Sequence, residues 1–461
     1  MKGNNPNSGV IVILLTAVAI ITALSIVPWG SLTNNVFKDY NLLGDIIPSN
    51  ESVAETSDDI DPELAKIEAE SLDTTISELP PLVDLDSIDE SIEAPCRDGI
   101  VLIEDYYSDK SGLKRLKNAL AQSRNRNVRV AVIGDSYIEG DIFTQDLREA
   151  MQIRYGGCGV GYMPAYCNIA GFRRSVKQSG KGWHEHEIRN MKNNDYRIIA
   201  GKYFVGHNGA MASFDGVKSP SHLDSWDRTL VQVVSPTHSG TITLTADDGN
   251  TVSKHLEASR SVQTIRLDAH TSSIKLSSTV DSLIVLGVYL DGNVGVSVDC
   301  MTLRGNSGIC HRVLNSEINT QMRETADYDL IILEFGINAL SAKQQKYNYY
   351  AKVMAQVVKA VQESYPNAVV MLMGIGDRGR KHGGEVESMS TCQAMVSAQR
   401  SAARFAGCLF WDTRAVQGGD GAVVDWHKQG WVNSDYIHLN HKGGKELANL
   451  FMKSLNISLS E

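Results

Sequence analysis

The sequence predicts an α/β fold: a parallel sheet between two layers of helices, with an antiparallel β-sandwich inserted into it and one N-terminal transmembrane helix. Three observations support this prediction. Short β-branched runs alternate with helix-compatible stretches, a central region alternates apolar and polar residues between turns, and an uncharged apolar run lies near the N terminus. The 461 residues suffice for one large domain or two to three smaller ones.

The parallel sheet is predicted from three apolar runs. They are VRVAVI at 128–133, LIILEF at 330–335 and AVVMLM at 368–373. Runs of this kind are typical of strands that are covered on both faces. Helix-compatible sequence follows them at 138–154, 341–364 and 388–405. Strands alternating with helices of these lengths predict a three-layer domain, which we place at 99–170 and 300–461.

The central region follows a different pattern. Between Leu230 and Val298, short segments of alternating polarity are separated by turn residues such as Asp247, Asp248 and Gly249. Alternation with period two is typical of strands with one exposed face. We therefore predict an antiparallel β-sandwich inserted over residues 171–299.

The N-terminal residues are predicted to lie outside the folded domains. The run 10–27 has no charged residue and approaches the thickness of a bilayer core. It predicts a transmembrane signal anchor at 9–28 after a short cytoplasmic segment at 1–8, with a cleaved signal peptide and a buried core helix as alternatives. With Lys2 before this run, the rest of the chain is expected outside the cytoplasm, in the periplasm.

The net charge of −10 comes from one segment. Between Tyr40 and Asp98, about 17 acidic residues stand against two basic ones, Lys66 and Arg97. Such a composition cannot bury enough apolar area to offset chain entropy, so residues 29–98 are predicted to be a disordered acidic tether. The remainder is mildly positive without a long basic run, which argues against nucleic-acid binding.

The cysteines and histidines give no metal-site pattern. The seven cysteines show neither a CxxC pair nor Cys/His ligand spacing, so isolated thiols are expected, although Cys158 and Cys167 could pair. His184 and His186 would share one face of a strand, but no third ligand accompanies them. They are interpreted as surface or substrate-contact residues. We predict no metal and no cofactor.

A serine and an Asp/His pair have the positions expected of a nucleophile and its base in a hydrolase. Ser136 follows the strand 128–133 directly, and the carboxyl edge of an open α/β sheet is where such folds place their sites. Asp435 precedes His438 by three residues, so its carboxylate can reach the imidazole and orient it as a base. Each motif alone is weak: the serine could be a helix cap, and the pair a surface turn.

Two further residues complete a possible oxyanion site. Asn338 follows the strand 330–335 and so lies at the same sheet edge as Ser136, where its amide could donate to a developing oxyanion. Gly308 or Gly305, in the segment after the inserted region, could bring a backbone N–H to the same oxygen. The order of the four elements along the chain is what makes them informative.

These elements resemble the four blocks of the SGNH (GDSL-like) hydrolase superfamily. The matching segments are VIGDSYIEGD with Ser136, LRGNSGI with Gly308, EFGINAL with Asn338 and DYIHLNHKGG with His438. The resemblance implies an oxyanion hole formed by the N–H groups of Ser136 and Gly308 and the amide of Asn338. Gly305 is the alternative register for the glycine.

The resemblance extends from about Val128 to the C terminus. The tracts IGDSYIEGDIFTQDLREAMQIRYGG, GVGYMPA and YLDGNVGVSVDCMTLRGNSGI are similar to bacterial peptidoglycan O-acetylesterases that have a β-sandwich resembling a carbohydrate-binding module. One departure is Glu334-Phe335 before Gly336, where many relatives have small or hydroxylated residues.

Other conspicuous residues receive lesser roles. His441 lacks an acidic residue at the spacing that Asp435 has to His438, so we favour His438 as the base. Asp377 and Arg378 follow the strand 368–373, and Trp426 precedes the Asp/His block, so these three are possible substrate-binding residues. A loop ion pair and a packed loop are the alternatives.

The predicted function is that of a membrane-anchored serine esterase. It would remove short acyl groups, acetate above all, from a cell-wall or other extracytoplasmic polysaccharide through an acyl-Ser136 intermediate. An O-acetyltransferase on the same fold and a catalytically silent glycan-binding protein are the alternatives. The predicted partners are an acylated glycan and, through the N-terminal helix, a membrane.

Overall fold

The computed structural model describes residue 85 and residues 88–191, 196–219, 222–382 and 384–460. The transmembrane helix predicted at 9–28 lies outside these residues. Among the helices inside them, none combines the length and the apolar character needed to span a bilayer.

Packing begins earlier than the sequence suggests. Leu85 is buried in a hydrophobic core, and the Ile92 carbonyl accepts a hydrogen bond of 3.1 Å from the Arg400 guanidinium. The prediction of a disordered tether through residue 98 is therefore wrong at its C-terminal end. The apolar residues interspersed among the acidic ones explain the difference, because a few of them suffice to dock a short segment.

The strands within the described ranges are, in chain order, β1 (Cys96–Arg97), β2 (Ile100–Val101), β3 (Glu104–Asp105), β4 (Asn127–Gly134), β5 (Gly161–Met163), β6 (Val176–Glu187), β7 (Lys202–Gly216), β8 (Trp226–Ser235), β9 (Gly240–Ala246), β10 (Thr251–Leu256), β11 (Ser259–Thr271), β12 (Ser273–Ser278), β13 (Leu283–Asp291), β14 (Gly295–Thr302), β15 (Leu330–Glu334), β16 (Val369–Met373), β17 (Gly379–His382), β18 (Glu385–Ser388) and β19 (Leu409–Trp411).

In the part of the chain that the structure describes, the α-helices are α1 (Gly112–Ala121), α2 (Thr144–Tyr155), α3 (Ser316–Arg323), α4 (Asn348–Ser364), α5 (Cys392–Ala406), α6 (Thr413–Gln417), α7 (Ala422–Lys428) and α8 (His441–Ser458).

Six strands form the central sheet, in the spatial order β14-β4-β15-β16-β19-β3. The first five are parallel, and β3 is an antiparallel edge strand. In the pairing of β4 with β15, Leu330 lies opposite Val130 and Glu334 lies opposite Gly134. The ends of β4 and β15 therefore lie side by side at the carboxyl edge of the sheet.

Helices cover both faces of this sheet. Residues of α3, α4 and α5 belong to one hydrophobic core, and residues of α1, α2 and α8 belong to a second core on the opposite face. Along β15, Ile331 and Leu333 point into the first core, while Leu330 and Ile332 point into the second. Burial on both faces explains the unbroken apolar runs, and the predicted three-layer arrangement is confirmed.

All three predicted helices begin later than expected: α2 at Thr144, α4 at Asn348 and α5 at Cys392. After Ser136, residues 139–141 form a 3-10 turn in which Gly140 and Asp141 have positive φ angles of 70° and 66°, so α2 begins only at Thr144. Before α4, the Tyr347 hydroxyl bonds the N–H and the carbonyl of Ser341, which holds that segment out of the helix.

Nine antiparallel strands, β5 to β13, form the inserted region. They make one continuous sheet, because the C-terminal part of the long strand β7 pairs with β12 and its N-terminal part pairs with β13. The sheet bends there and encloses an apolar core that includes Phe204, Phe214 and Trp226. The extra β-rich region is confirmed, but it begins before the predicted boundary at 171, because β5 already pairs with β13. β6 and β7 lie inside the predicted range, ahead of the strands predicted from Leu230 onward. β14 belongs to the central sheet, so the insertion ends before residue 295 and not at 299.

A buried ionic cluster joins the insertion to the central sheet. The Arg129 guanidinium, on β4, is paired with Asp291 of β13 and, at 3.1 Å, with Asp299 of β14. Its carbon Cζ lies 4.9 Å from the centre of the Tyr289 ring. A buried charge of this kind is stable only with such partners, so the cluster fixes the insertion against the sheet.

Candidate active site

Ser136, His438 and Asp435 form one hydrogen-bonded chain. The Ser136 Oγ lies 2.8 Å from His438 Nε2, and His438 Nδ1 lies 2.7 Å from Asp435 Oδ2. An ionised carboxylate only accepts hydrogen bonds, so Nδ1 must hold the imidazole proton and Nε2 is free to accept from the serine hydroxyl. In this arrangement the imidazole can act as a general base toward Ser136.

The loop between α7 and α8 fixes the Asp/His pair. Asp435 Oδ1 accepts the backbone N–H groups of Ile437 at 2.9 Å and His438 at 3.0 Å. The intervening Tyr436 has a φ of 56°, and its carbonyl accepts from the Gly379 N–H at 2.9 Å. These bonds close the three-residue spacing into a tight turn, which holds the carboxylate beside the ring.

The electrostatics of Asp435 suit a partner for an imidazolium. Burial acts to raise the pKa of its carboxyl, but the hydrogen bonds from the His438 ring and from the two N–H groups outweigh burial and lower the pKa. The carboxylate is therefore ionised when the imidazole takes up a proton. The side chains of Asp435 and His438 are 38% and 32% exposed, so the pair is open to solvent.

Asn338 lies beside the turn at residues 135–138, which contains Ser136 and is called the nucleophile loop below. It belongs to a 3-10 turn, Ile337–Ala339, that directly follows β15. Its Nδ2 donates to Asp135 Oδ2 at 2.8 Å and to the Asn306 carbonyl at 3.1 Å. The structure thus brings Asn338 next to the residue that precedes Ser136, and in this state both amide hydrogens have protein acceptors.

The two glycines differ in their surroundings. Gly308 is buried with a φ of 88°, and a Cβ there would lie 2.6 Å from the Phe335 ring. Its N–H donates to Asn306 Oδ1 at 2.7 Å. Gly305 has a φ of 70°, and its carbonyl accepts from Arg189 at 3.0 Å. Gly308 is therefore the glycine packed under the site, although its N–H has an intramolecular acceptor in this state.

One backbone donor at the site remains open. Within the described ranges, the Ser136 N–H has no hydrogen-bond acceptor. Ser136 follows β4, and its Oγ contacts His438. The carbonyl of an acyl group bonded to this Oγ would therefore lie near the Ser136 N–H.

Residues 286–445 match the GDSL-like Lipase/Acylhydrolase family. The chain contains a GDSL-like acylhydrolase domain. The matched range includes Gly308, Asn338, Asp435 and His438 but begins after Ser136, which the fold brings to the same place. The enzyme class is that of a carboxylic ester hydrolase.

Solved structures extend the comparison beyond this range. One of a peptidoglycan O-acetylesterase is 22% identical, with a TM-score of 0.64, and the alignment covers 78% of this chain and 99% of that one. It shows that the fold of the acylhydrolase domain and the β-rich region is shared. No curated protein matches the chain in sequence.

Two other solved structures resemble this chain too weakly to support a conclusion about its fold or function. A family two carbohydrate esterase from Cellvibrio japonicus is 11% identical with a TM-score of 0.27, covering 61% of this chain and 99% of that one. A carbohydrate-binding module from Cellvibrio mixtus lichenase 5A, in complex with cellotriose, is 12% identical with a TM-score of 0.17, covering 24% and 87%.

Three predicted substrate residues of the acylhydrolase domain are buried instead. Asp377 accepts from the Ser388 hydroxyl at 2.5 Å and the Val423 N–H at 3.0 Å. Arg378 donates to the carbonyls at positions 337 and 340, at 3.2 and 3.4 Å, and so supports the segment that contains Asn338. Trp426 donates its indole N–H to the carbonyl at position 417 at 3.1 Å. All three side chains are buried and make hydrogen bonds within the protein, and their role in substrate binding stays a prediction.

The other histidines lie apart from this chain of contacts. The ring of His441 lies 6.3 Å from that of Phe172, and its Nδ1 has no hydrogen-bond partner in the described part of the chain. His186 stacks on Tyr203, with ring centres 4.9 Å apart. The described residues contain no cluster of three or more His, Cys, Asp or Glu that could hold a metal ion.

The structure also places residues near the site that the sequence analysis did not select. A cavity of about 270 Å³ lies between the nucleophile loop and the insertion of the acylhydrolase domain. Charged residues of both parts line it: Glu139, Arg173, Glu185, Lys202 and Arg304. The ring of Phe172, 46% exposed, packs against Gly140 in the turn that follows Ser136. Because these residues meet only through long-range folding, no local sequence signal could have grouped them.

Proposed function

We propose that this chain is a serine esterase that removes short acyl groups, in particular O-acetyl groups, from a cell-wall or other extracytoplasmic polysaccharide. The observation that supports this most directly is the chain of contacts from Asp435 through His438 to Ser136, with distances of 2.7 and 2.8 Å, inside an acylhydrolase domain.

The proposed reaction has two steps. Ser136 Oγ attacks the ester carbonyl while His438 Nε2 takes its proton, and Asp435 stabilises the imidazolium. The Ser136 N–H stabilises the oxyanion. The Asn338 amide joins it by exchanging its bond to Asp135 or Asn306 for the oxyanion, and the Gly308 N–H is a third donor when its bond to Asn306 opens. His438 then protonates the departing sugar oxygen, leaving acyl-Ser136. Water, deprotonated by His438, attacks this ester, and the imidazolium then returns the proton to the departing Ser136 Oγ, which releases acetate and restores the free enzyme.

Three features favour a glycan as substrate. The charged cavity next to the nucleophile loop offers hydrogen-bonding groups suited to sugar hydroxyls. The exposed Phe172 ring could stack on a sugar face. The side chains of Asp435 and His438 are partly exposed, which suits a polymeric substrate better than an enclosed lipid site would. The fold shared with a peptidoglycan O-acetylesterase supports O-acetylated peptidoglycan as the first substrate to test.

Acetate release tests this proposal. The full chain and its Ser136→Ala variant are incubated with O-acetylated peptidoglycan, and free acetate is measured. We expect release by the native protein alone, with none from chemically de-O-acetylated glycan. Hydrolysis of 4-nitrophenyl acetate without release from any acetylated polysaccharide would contradict the glycan assignment. A free-hydroxyl glycan added as acceptor separates hydrolysis from transfer, because a transferase would return acetyl groups to it.

The proposal includes attachment to a membrane through residues 9–28, with the catalytic part outside the cytoplasm. The uncharged run at 10–27 supports it. We expect the full chain to remain in the membrane fraction after a carbonate wash and a variant lacking residues 1–28 to be released. Activity in both would separate anchoring from catalysis, and a full chain in the soluble fraction would contradict the anchor.

A further inference from the structure

Glu334 is a buried carboxyl directly beneath the nucleophile loop. It is the last residue of β15 and lies opposite Gly134 of β4. A Cβ on Gly134 would lie 2.6 Å from Glu334 Oε2, so the glycine two residues before Ser136 provides the space for this carboxyl. Glu334 is 1% exposed and points to the face of the sheet where Tyr137 and Ile138 pack.

Few groups face this carboxyl. The backbone N–H of Asp135 acts on this carboxyl to lower its pKa, while Oε2 has no hydrogen-bond partner in the described ranges. The titratable groups that act on it are Asp135 and Tyr137, and Glu139 and His438 act on Asp135 in turn. No arginine or lysine of the described residues forms an ion pair with either Asp135 or Glu334.

Two buried carboxyls without a cation cannot both be ionised at low cost. Burial, with the neighbouring Asp135, raises the pKa of Glu334 well above its usual range. Burial also raises the pKa of Asp135, to about 7, against the opposing effects of the Tyr137 N–H, His438 and Asn338. The proton of the pair therefore belongs on Glu334, and the charge belongs on Asp135.

We propose that Glu334 is a positioning residue that works as a neutral carboxylic acid. It lies beneath Asp135, whose backbone N–H acts on its carboxyl, and Asp135 in turn holds the Asn338 amide at 2.8 Å. Because Glu334 is uncharged, only one negative charge lies beneath the site where the ester oxyanion forms. This role rests on the proposed esterase function.

Thermal unfolding of the Glu334→Gln variant tests the neutral state without any activity. A carboxyl whose pKa is raised by folding is stabilising below its unfolded pKa, and that contribution is lost as pH rises toward the folded pKa. Glutamine does not titrate. The Tm of the variant relative to the native chain should therefore rise by roughly 2 °C per pH unit from pH 5 to pH 8. A Tm difference that is constant over this range would overturn the proposal.

The pH profile of turnover tests the positioning role. Glu334→Gln should retain kcat within about threefold at pH 7, because an amide matches the neutral acid in shape and hydrogen bonding. The native kcat should fall at alkaline pH, where Glu334 ionises, and the variant should lose this fall. The exposed Glu385→Gln serves as a matched control that should change neither profile. A large loss of kcat at pH 7 in Glu334→Gln, or an unchanged alkaline fall, would overturn the role.

The two measurements keep the proposals distinct. If the native chain releases no acetate while the Tm difference still grows with pH, the esterase function fails and the neutral state of Glu334 stands. If acetate is released but the Tm difference is constant, the inference about Glu334 fails alone.

Discussion

Replacing Ser136 or His438 by alanine is expected to reduce kcat by roughly 10⁴- to 10⁶-fold, because either change removes the attacking oxygen or its base from a contact of 2.8 Å. Asp435→Asn should cost somewhat less, since the ring loses the charge that stabilises its protonated form but keeps a neighbour of the same shape. Acetate release under saturating substrate gives kcat, and circular dichroism confirms that each variant folds.

His441→Ala provides the matched control for this series. His441 lies three residues after His438, but its ring is near Phe172 and no acidic side chain is hydrogen bonded to it in the described ranges. Its variant should retain kcat close to that of the native chain. If His441→Ala proved as damaging as His438→Ala, the assignment of the base would be wrong.

The elements that could be predicted from sequence are those that depend on local patterns of residues. The runs that became β4, β15 and β16 are apolar on both faces, and this follows from their coverage by helices on each side. Because β4 and β15 end at the same sheet edge, the sequence also predicts that Ser136 and Asn338 lie near each other. The short spacing of Asp435 and His438 likewise determined their contact.

The elements that could not be predicted from sequence are those whose conformation depends on tertiary contacts. β6 and β7 are rich in glycine, lysine and histidine, so their alternation is weak, and pairing with each other and with β12 and β13 gives them their strand conformation. Asp141, with positive φ, ends the turn after Ser136 because its buried carboxylate is held by Arg148 and Arg173. No local pattern encodes those partners.

The burial of polar residues near the site could not be predicted from sequence. Asp377 and Arg378 follow a sheet strand, as substrate-binding residues often do, but they are buried and several of their hydrogen-bond partners come from distant loops. Glu334 shows the opposite case. Its sequence position marked it only as a departure from relatives, whereas the structure places an unpaired carboxyl oxygen beneath the nucleophile loop.

Asn338→Ala is expected to lower kcat by about 100- to 1,000-fold, or about 2.7–4 kcal/mol, because a donor to the oxyanion is lost while the Michaelis constant changes little. The same amide bonds Asp135 and Asn306, so the variant should also lose about 1–3 kcal/mol of stability as buried acceptors lose their donor. Steady-state kinetics and thermal unfolding measure the two effects separately.

The loss of the oxyanion donor can be distinguished from the loss of stability, because the two respond differently to assay temperature and to an inhibitor that binds Ser136. A loss that comes only from weakened packing should diminish when the assay is run well below the Tm of the variant, whereas the loss of an oxyanion donor should persist there. A boronic acid that forms a tetrahedral adduct with Ser136 should bind Asn338→Ala more weakly by a factor close to the loss in kcat, since the adduct presents the same oxygen to the amide. Equal affinity for this inhibitor in both proteins would exclude Asn338 from the oxyanion site and leave it as the link between Asp135 and Asn306.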